Sequence, residues 1–544
     1  MHQRKSKQGV EEESGSSCCS EGTHGAHHHH GSPSTPSFLS PKRILQVFLL
    51  RLIMSTVLQH CADVPDEWWQ STEVAYHNVF GVGHLPWEWS AELRSYIYPL
   101  PFDFAFRLLR LLGIDTALLM WLVPKMIASA AATAIDIQTY RLGAKLDKDL
   151  GLVPTKDKQP GDRGSEGLTV AKIAFIFSLA HWFTGYIGVR TQSNVLETLL
   201  LLTATMQTNF LTFLFFAGFG CALRMTCVVP LTPFALIHVF GSIRSRGIRG
   251  LAQRVVELAI MLCFWLAISM SVDFMFYGKW TLTPLNFFLF NVLKGHSAIF
   301  GTHPWHWYFS TAFPVVSLPF TLILPLLLSP SVWKRMATPA RWRVGIMCFS
   351  IVFTMAVYSL VPHKELRFFY PVVPFMIIIA AFLYLHHPWL LQKQAGGPSQ
   401  PRFWLFMFFV VTNVLTYLII SVGYRRGTLD VMAEVRSGAV LTNNDGTPKV
   451  IEHLDILTGC YATAGYSYVH GRVKNLRTMD CTPVVVNEAT SETLPTERDV
   501  FGDYPVEFVR WVYDGVAPTD NTELSDLLRG QQRFPPSTRH GLHN

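Results

Sequence analysis

The sequence predicts an all-α polytopic membrane protein with about eleven transmembrane helices. It also predicts a large first non-cytosolic loop and a small α/β C-terminal domain on the same side. Three observations carry this expectation. Of 544 residues, 49% are hydrophobic and only 15% are charged, whereas soluble domains carry about 25% charge. Apolar stretches recur near 44–59, 115–140, 171–189, 195–208, 209–241, 255–277, 311–330, 344–361, 368–386 and 403–423. The Lys and Arg residues between them gather in alternate loops, as the positive-inside rule requires. The net charge of +7 does not point to nucleic acid, because the basic residues occupy short loops between apolar runs.

Residues 1–43 read as a disordered cytosolic tail rich in Ser, Gly and Pro, and the run His27 to His30 is left out of any site. Ile44 to Gln59 follows Lys42 and Arg43 and lacks a cleavage signal, so it reads as a retained first span. Arg224 and Pro230 interrupt 209–241, which therefore holds two short or re-entrant segments. Basic clusters at 141–163, 244–254, 334–343 and 393–402 fall on the cytosolic side with one parity; Arg425 and Arg426 are exceptions. That parity places 61–100, 278–310, 362–368 and everything from 424 onward on the opposite face. Residues 44–423 then form the membrane domain and 424–528 a small domain. In the latter, Val484–Val486 and Phe508–Tyr513 are short runs rich in β-branched or aromatic residues, and a Cys460–Cys481 disulfide is allowed. Residues 529–544 read as a disordered end.

The organising stretch is His363-Lys364-Glu365-Leu366-Arg367, between two apolar runs. Charges at the end of a span are costly unless they face water, a partner or a ligand. On a helix His363 and Arg367 share a face, giving a cationic cluster oriented by Glu365. The plainer alternative is snorkelling that sets helix depth. In the first loop Asp66 and Glu67 follow Pro65. A carboxylate at a lipid–water boundary is a candidate general base, although acids after a proline also suit a helix first turn. The two point different ways on any regular element, so one at most does chemistry. Trp87 and Trp89 offer flat surfaces for a sugar, with Arg94 nearby, and 102–110 has the pattern of an interfacial helix. Arg190 to Glu197 is a polar cluster that a helix cap at Ser193 or Asn194 explains equally well. His303 and His306, beside Trp305 and Trp307, lack a third metal ligand in sequence and suit interfacial anchoring or substrate contact.

Several motifs carry a resemblance. Val64-Pro65-Asp66-Glu67-Trp68-Trp69-Gln70-Ser71, Gly83 to Trp89 and Leu93 to Pro99 resemble the first lumenal loop of glycosylphosphatidylinositol mannosyltransferases. His363 to Phe368 matches the HKExRF signature of glycosyltransferase family 22, and Gly301 to Phe309 is similar to the HPWHWYF segment of enzymes that add the third mannose. The resemblance implies a GT-C fold in the endoplasmic reticulum membrane and inverting transfer with a lumenal active site. It implies dolichyl phosphate mannose as donor and a mannosylated glycosylphosphatidylinositol lipid as acceptor, in α-1,2 linkage. No Asp-x-Asp metal motif sits in a plausible place, so the expectation is transfer with no cofactor and no metal, ahead of the alternative that the acidic pair holds Mg²⁺ through phosphate oxygens. Asp66 is then the expected base with Glu67 in reserve. His363, Lys364 and Arg367 would neutralise the leaving phosphate, and Arg94, Trp87, Trp89, His303, His306 and Glu365 would bind substrate. A sister enzyme acting on the dolichol-linked N-glycan precursor, a lipid-headgroup transporter and a non-catalytic subunit remain alternatives at this stage.

Overall fold

The structure is a computed structural model that describes residues 38–63, 65–151, 168–387, 400–440, 442, 449–487 and 492–514. The expected disordered end at 529–544, the His27 to His30 run and most of the 1–43 tail lie outside these residues. Within that tail, Pro41 to Arg43 already belong to the helix Pro41–Ile53, with Pro41 in its first turn and the Ser40 side chain accepting from the Arg43 backbone N–H.

Among the described residues, five helical stretches are long and apolar enough to cross a membrane: Ala117–Asp149, Met225–Tyr277, Thr338–Ser359, Leu366–His386 and Arg402–Gly423. Two bent pairs, Val170–Ala180 with Trp182–Gly188 and Tyr308–Ser317 with Phe320–Leu328, raise that number to seven. The protein is thus multi-pass, but the expected count of about eleven is not reached on this measure. The expected span at 195–208 is instead the short helix Ser193–Thr205, whereas 209–241 is interrupted as expected, with the short helix Phe210–Leu223 ending at Arg224. Others break: His181 is extended, and its side chain caps the second half of the first bent pair by accepting from the Thr184 N–H. The stretch Met225–Tyr277 is two helices, because Gly247 takes φ +60° and turns the chain back. Across that turn the Ser242 hydroxyl reaches the Gly250 carbonyl at 3.2 Å.

Val373–His386 is apolar on every side, and that composition suits only a helix enclosed by others; it is accordingly buried along almost its whole length. A buried ion pair fastens its surroundings. Arg51 donates two hydrogen bonds of 2.8 Å to Asp136 and a third to the Ser178 carbonyl, joining three helices. Losing one partner of such a pair costs about 3–5 kcal/mol. The bundle has two chemically distinct ends. At one, Arg343 pairs with Asp149 at 2.5 Å, and Asp147 accepts from the N–H groups of Val170 and Ala171. At the other, 61–100, 278–310 and 362–368 meet one another.

The C-terminal segment packs onto that second end. Helix Gly427–Ser437 is followed by parallel strands Ile451–Ile456 and Val473–Thr478, with Ile451 opposite Val473. A short antiparallel pair, Val485–Asn487 with Glu492–Thr493, comes next. Phe508–Tyr513 is helical rather than extended: Pro505 opens a helix whose Phe508 is buried against Val500. Cys460 and Cys481 form a disulfide. The docking contact is Glu73, whose buried carboxylate accepts from Gly465 N–H, Ser467 N–H and the Ser467 hydroxyl. Trp69 Nε1 adds a bond to the Thr463 carbonyl and Tyr76 one to His470.

Burial pushes the Glu73 carboxyl up to about 7, against the pull of its Ser467 and Gly465 donors. The folded protein therefore holds this proton more tightly than the unfolded chain, whose value is near 4.5. The stability this contributes is complete below that lower value and is lost as pH rises through the higher one. Melting of the detergent-solubilised protein should drop by a few degrees across that window, and Glu73→Gln should flatten this part of the curve. An unchanged slope in the variant would show that Glu73 is not the group responsible.

Candidate active site

Pro362 stops the preceding helix at Ser359, because the residue before a proline avoids the helical region. The segment 361–365 is therefore not helical, and the expected sharing of a helix face by His363 and Arg367 does not occur. Glu365 joins them instead. It accepts from Arg367 Nε at 2.5 Å and Nη2 at 2.9 Å, and it meets His363 Nε2 at 2.8 Å. Burial alone would raise the Glu365 carboxyl, but Arg367 and His363 hold it well below its usual range. Arg367 also reaches across the fold, with Nη1 2.5 Å from Asp66 Oδ2.

Asp66 and Glu67 open a helix whose first bonds run from the N–H groups of Trp68 and Trp69 to the Pro65 carbonyl. Consecutive helical residues diverge, and the two acids face different neighbours. Asp66 lines a cavity of about 370 Å³ together with Glu88, Arg94, Arg224, His363, Glu365 and Arg367. Glu67 turns away and is paired with buried Arg190. Burial raises the Glu67 carboxyl and Arg190 partly offsets the rise. The polar cluster at 190–197 is the seat of this loop rather than a helix cap. Arg190 also donates to the carbonyls of Cys61 and Tyr186, Thr191 bonds the Glu67 carbonyl, and Gln192 bonds Asp63 at 3.1 Å. Neither Ser193 nor Asn194 caps the following helix.

The cavity has two kinds of wall. Phe287, Phe288, Val292, Phe300, Val357 and Leu360 are apolar, and the arginines and carboxylates form the other side. Arg94 is held by Glu88 through bonds of 3.1 and 2.9 Å, and Gln70 supports Glu88. Arg224 is paired with Glu197 at 3.1 Å and lies over the Phe368 ring. In the sequence Arg224 stood only as an interruption of an apolar run; a charge there was the available signal.

Other expected site residues have different surroundings. Lys364 does not line the cavity: its buried ammonium donates to the carbonyls of His303, Val361 and Pro362, so it is spent on the backbone. Trp89 is a core residue, packed on Tyr96 and bonded to the Trp69 carbonyl. Trp87 is half-buried, stacked near Phe300 and not part of the cavity wall. His303 and His306 are exposed; the first stacks on Trp307, and the second bonds the Ser310 hydroxyl. Among the described residues no three His, Cys, Asp or Glu side chains cluster as a metal-binding set.

The protein is thus a multi-pass membrane protein with a largely apolar cavity that is charged at one end. The chain belongs to the Alg9-like mannosyltransferase family, whose profile matches residues 43–470. It is 36% identical to GPI mannosyltransferase 3 of Trypanosoma brucei brucei over 89% of this chain and 87% of that protein. With GPI alpha-1,2-mannosyltransferase 3 of Homo sapiens it shares 30% identity over 89% of this chain and 80% of the other. Among solved structures, it overlaps ArnT from Cupriavidus metallidurans bound to undecaprenyl phosphate with a TM-score of 0.45 and 12% identity, over 82% of this chain and 86% of that one.

The Lys364 geometry makes a specific prediction. Lys364→Ala should lower stability by about 1–3 kcal/mol by orphaning the His303 and Val361 carbonyls, read as a fall in melting temperature. KM for the sugar donor should stay near the wild-type value, and a large rise in it would return Lys364 to the binding site.

Proposed function

We propose that the protein is an inverting mannosyltransferase that moves mannose from dolichyl phosphate mannose to a glycosylphosphatidylinositol precursor, adding the third mannose in α-1,2 linkage. The names of its relatives support the acceptor and the linkage. The observation that carries the chemistry is the Asp66–Arg367 contact at the charged end of a largely apolar cavity. In this reading the apolar wall takes the first isoprene units and the charged end takes the phosphate and sugar. The site lies on the lumenal face of the endoplasmic reticulum membrane. Residues 44–423 form the catalytic unit, and the segment from 424 to 528 is a lumenal addition.

The reaction needs a base on one side of the sugar carbon and a stabilised leaving group on the other. Only Oδ2 of Asp66 is in the ion pair, so Oδ1 is the oxygen that takes the acceptor hydroxyl proton. The freed oxygen attacks C1 of mannose, the C1–O bond to phosphate breaks, and dolichyl phosphate leaves as an anion. Arg367, Arg94 and Arg224 supply donors already fixed by carboxylates, so little reorganisation accompanies the developing charge. His363 lines the same wall with its ring nitrogens on the Gly301 carbonyl and on Glu365, so it meets the phosphate only by exchanging one of those contacts. An arriving phosphate competes with Asp66 for Arg367, which loosens the aspartate when the base is needed. Arginine suits that exchange because its fork serves two oxygen partners at once.

Asp66→Asn should lower mannose transfer in microsomes by about 10²–10⁴-fold, the range for loss of a general base, while the protein still accumulates. Glu67→Gln should act differently, lowering protein abundance because it strands Arg190 without its carboxylate. A fully active Asp66→Asn enzyme would remove the base assignment.

A further inference from the structure

We propose that a second, smaller cavity binds a phosphate group, at a site separate from the one that holds the sugar donor. It measures about 100 Å³ and lies between the end of the first span, the start of Ala117–Asp149 and the helix Gly427–Ser437. It shares no lining residue with the larger cavity. A single water needs only about 10–15 Å³ on this measure, so the space accommodates a tetrahedral group.

Its charge is unbalanced in a particular way. The two carboxylates on its wall are already matched, Glu67 by Arg190 and Asp430 by Arg426. The two cations facing it, Lys125 and Arg436, have no carboxylate within ion-pair distance among the described residues. Lys125 lies inside a helix long enough to cross the membrane, where an unmatched ammonium is costly and marks a ligand by default. Its amine gives one hydrogen bond, to the Ser55 carbonyl at 2.7 Å, and has two further protons to donate.

Arg436 is held ready for an anion. Its guanidinium lies 4.0 Å from the Trp121 ring and 4.6 Å from the Tyr468 ring, so its plane is fixed between two aromatics. Three buried polar atoms of the lining residues, Arg436 Nη1, Trp121 Nε1 and Gln59 Oε1, lack a hydrogen bond of good geometry, and the two donors have only the Tyr468 hydroxyl to share. Buried polar groups are otherwise nearly always paired. Two of the three are donors, and with the Lys125 ammonium they make a set suited to phosphate oxygens. The site's position at the end of two spans suits the headgroup phosphate of a lipid, and free phosphate shares the same chemistry.

The test uses the purified full-length protein in detergent, with inorganic phosphate or phosphatidic acid as probe and melting temperature and native mass spectrometry as readouts. At least one probe should stabilise the wild type. Arg436→Gln and Lys125→Gln should each weaken that binding about tenfold or more, while Arg94→Gln, which alters only the larger cavity, should leave it unchanged. Trp121→Phe removes one donor with little change of volume and keeps the test decisive if a charge variant fails to fold. A response to phosphatidic acid alone identifies a lipid headgroup; a response to inorganic phosphate identifies the free anion. No stabilisation by either probe, wild-type binding in all three second-cavity variants, or loss of binding in Arg94→Gln would overturn the proposal.

Discussion

Everything at the charged end of the bundle depends on Arg367 being shared. Its guanidinium is nearly buried, and it holds Glu365 two residues before it and Asp66 three hundred and one residues before it. A buried cation is tolerated only with partners close at hand, and these two carboxylates satisfy it from different parts of the chain. The contact therefore fixes the distance between the first loop and the segment after the Thr338–Ser359 helix. It also sets the polarity of the cavity. With both acids committed to one arginine, the remaining donors of Arg94 and Arg224 face a space whose other wall is hydrocarbon.

The surrounding contacts give that arrangement its rigidity. Arg190 and Thr191 grip the backbone and carboxylate of Glu67 from below, and Glu73 ties the same helix to the C-terminal segment. Lys364 fastens the 301–304 loop to the charged stretch by backbone carbonyls, and the His303 N–H bonds the Pro362 carbonyl in return. Each uses a charged or polar side chain to hold backbone in place. A charged residue in such a loop is thus as apt to be a fastener as a contact for substrate.

That distinction marks where the sequence was informative. Apolar runs and alternating basic clusters showed a multi-pass protein, because burial and charge placement are properties of composition along the chain. They did not show which runs break or fall short, since the bend at His181 and the turn at Gly247 depend on local backbone angles and tertiary partners. Asp66, Glu365, Arg367, His363 and Arg94 do meet around one cavity. Lys364 and Trp89 looked equivalent to them as residue types, and only their neighbours distinguish them. The helical face drawn for 363–367 failed because Pro362 denies that stretch a helix. Arg224, a single charge in an apolar run, is a cavity residue that no motif announced.

The divergence of Asp66 and Glu67 has a consequence for how this loop tolerates change over evolutionary time. Neighbours on a helix are rotated by about 100°, so one residue added just ahead of Asp66 would turn Asp66 toward Arg190, and one deleted there would turn Glu67 toward Arg367. In either case one acid takes the other's place, and the displaced one faces neither arginine. One of the two ion pairs would be lost, and removing one partner of a buried pair is costly. Helical phase therefore makes the spacing ahead of Asp66 a stricter constraint than the side chains that fill it.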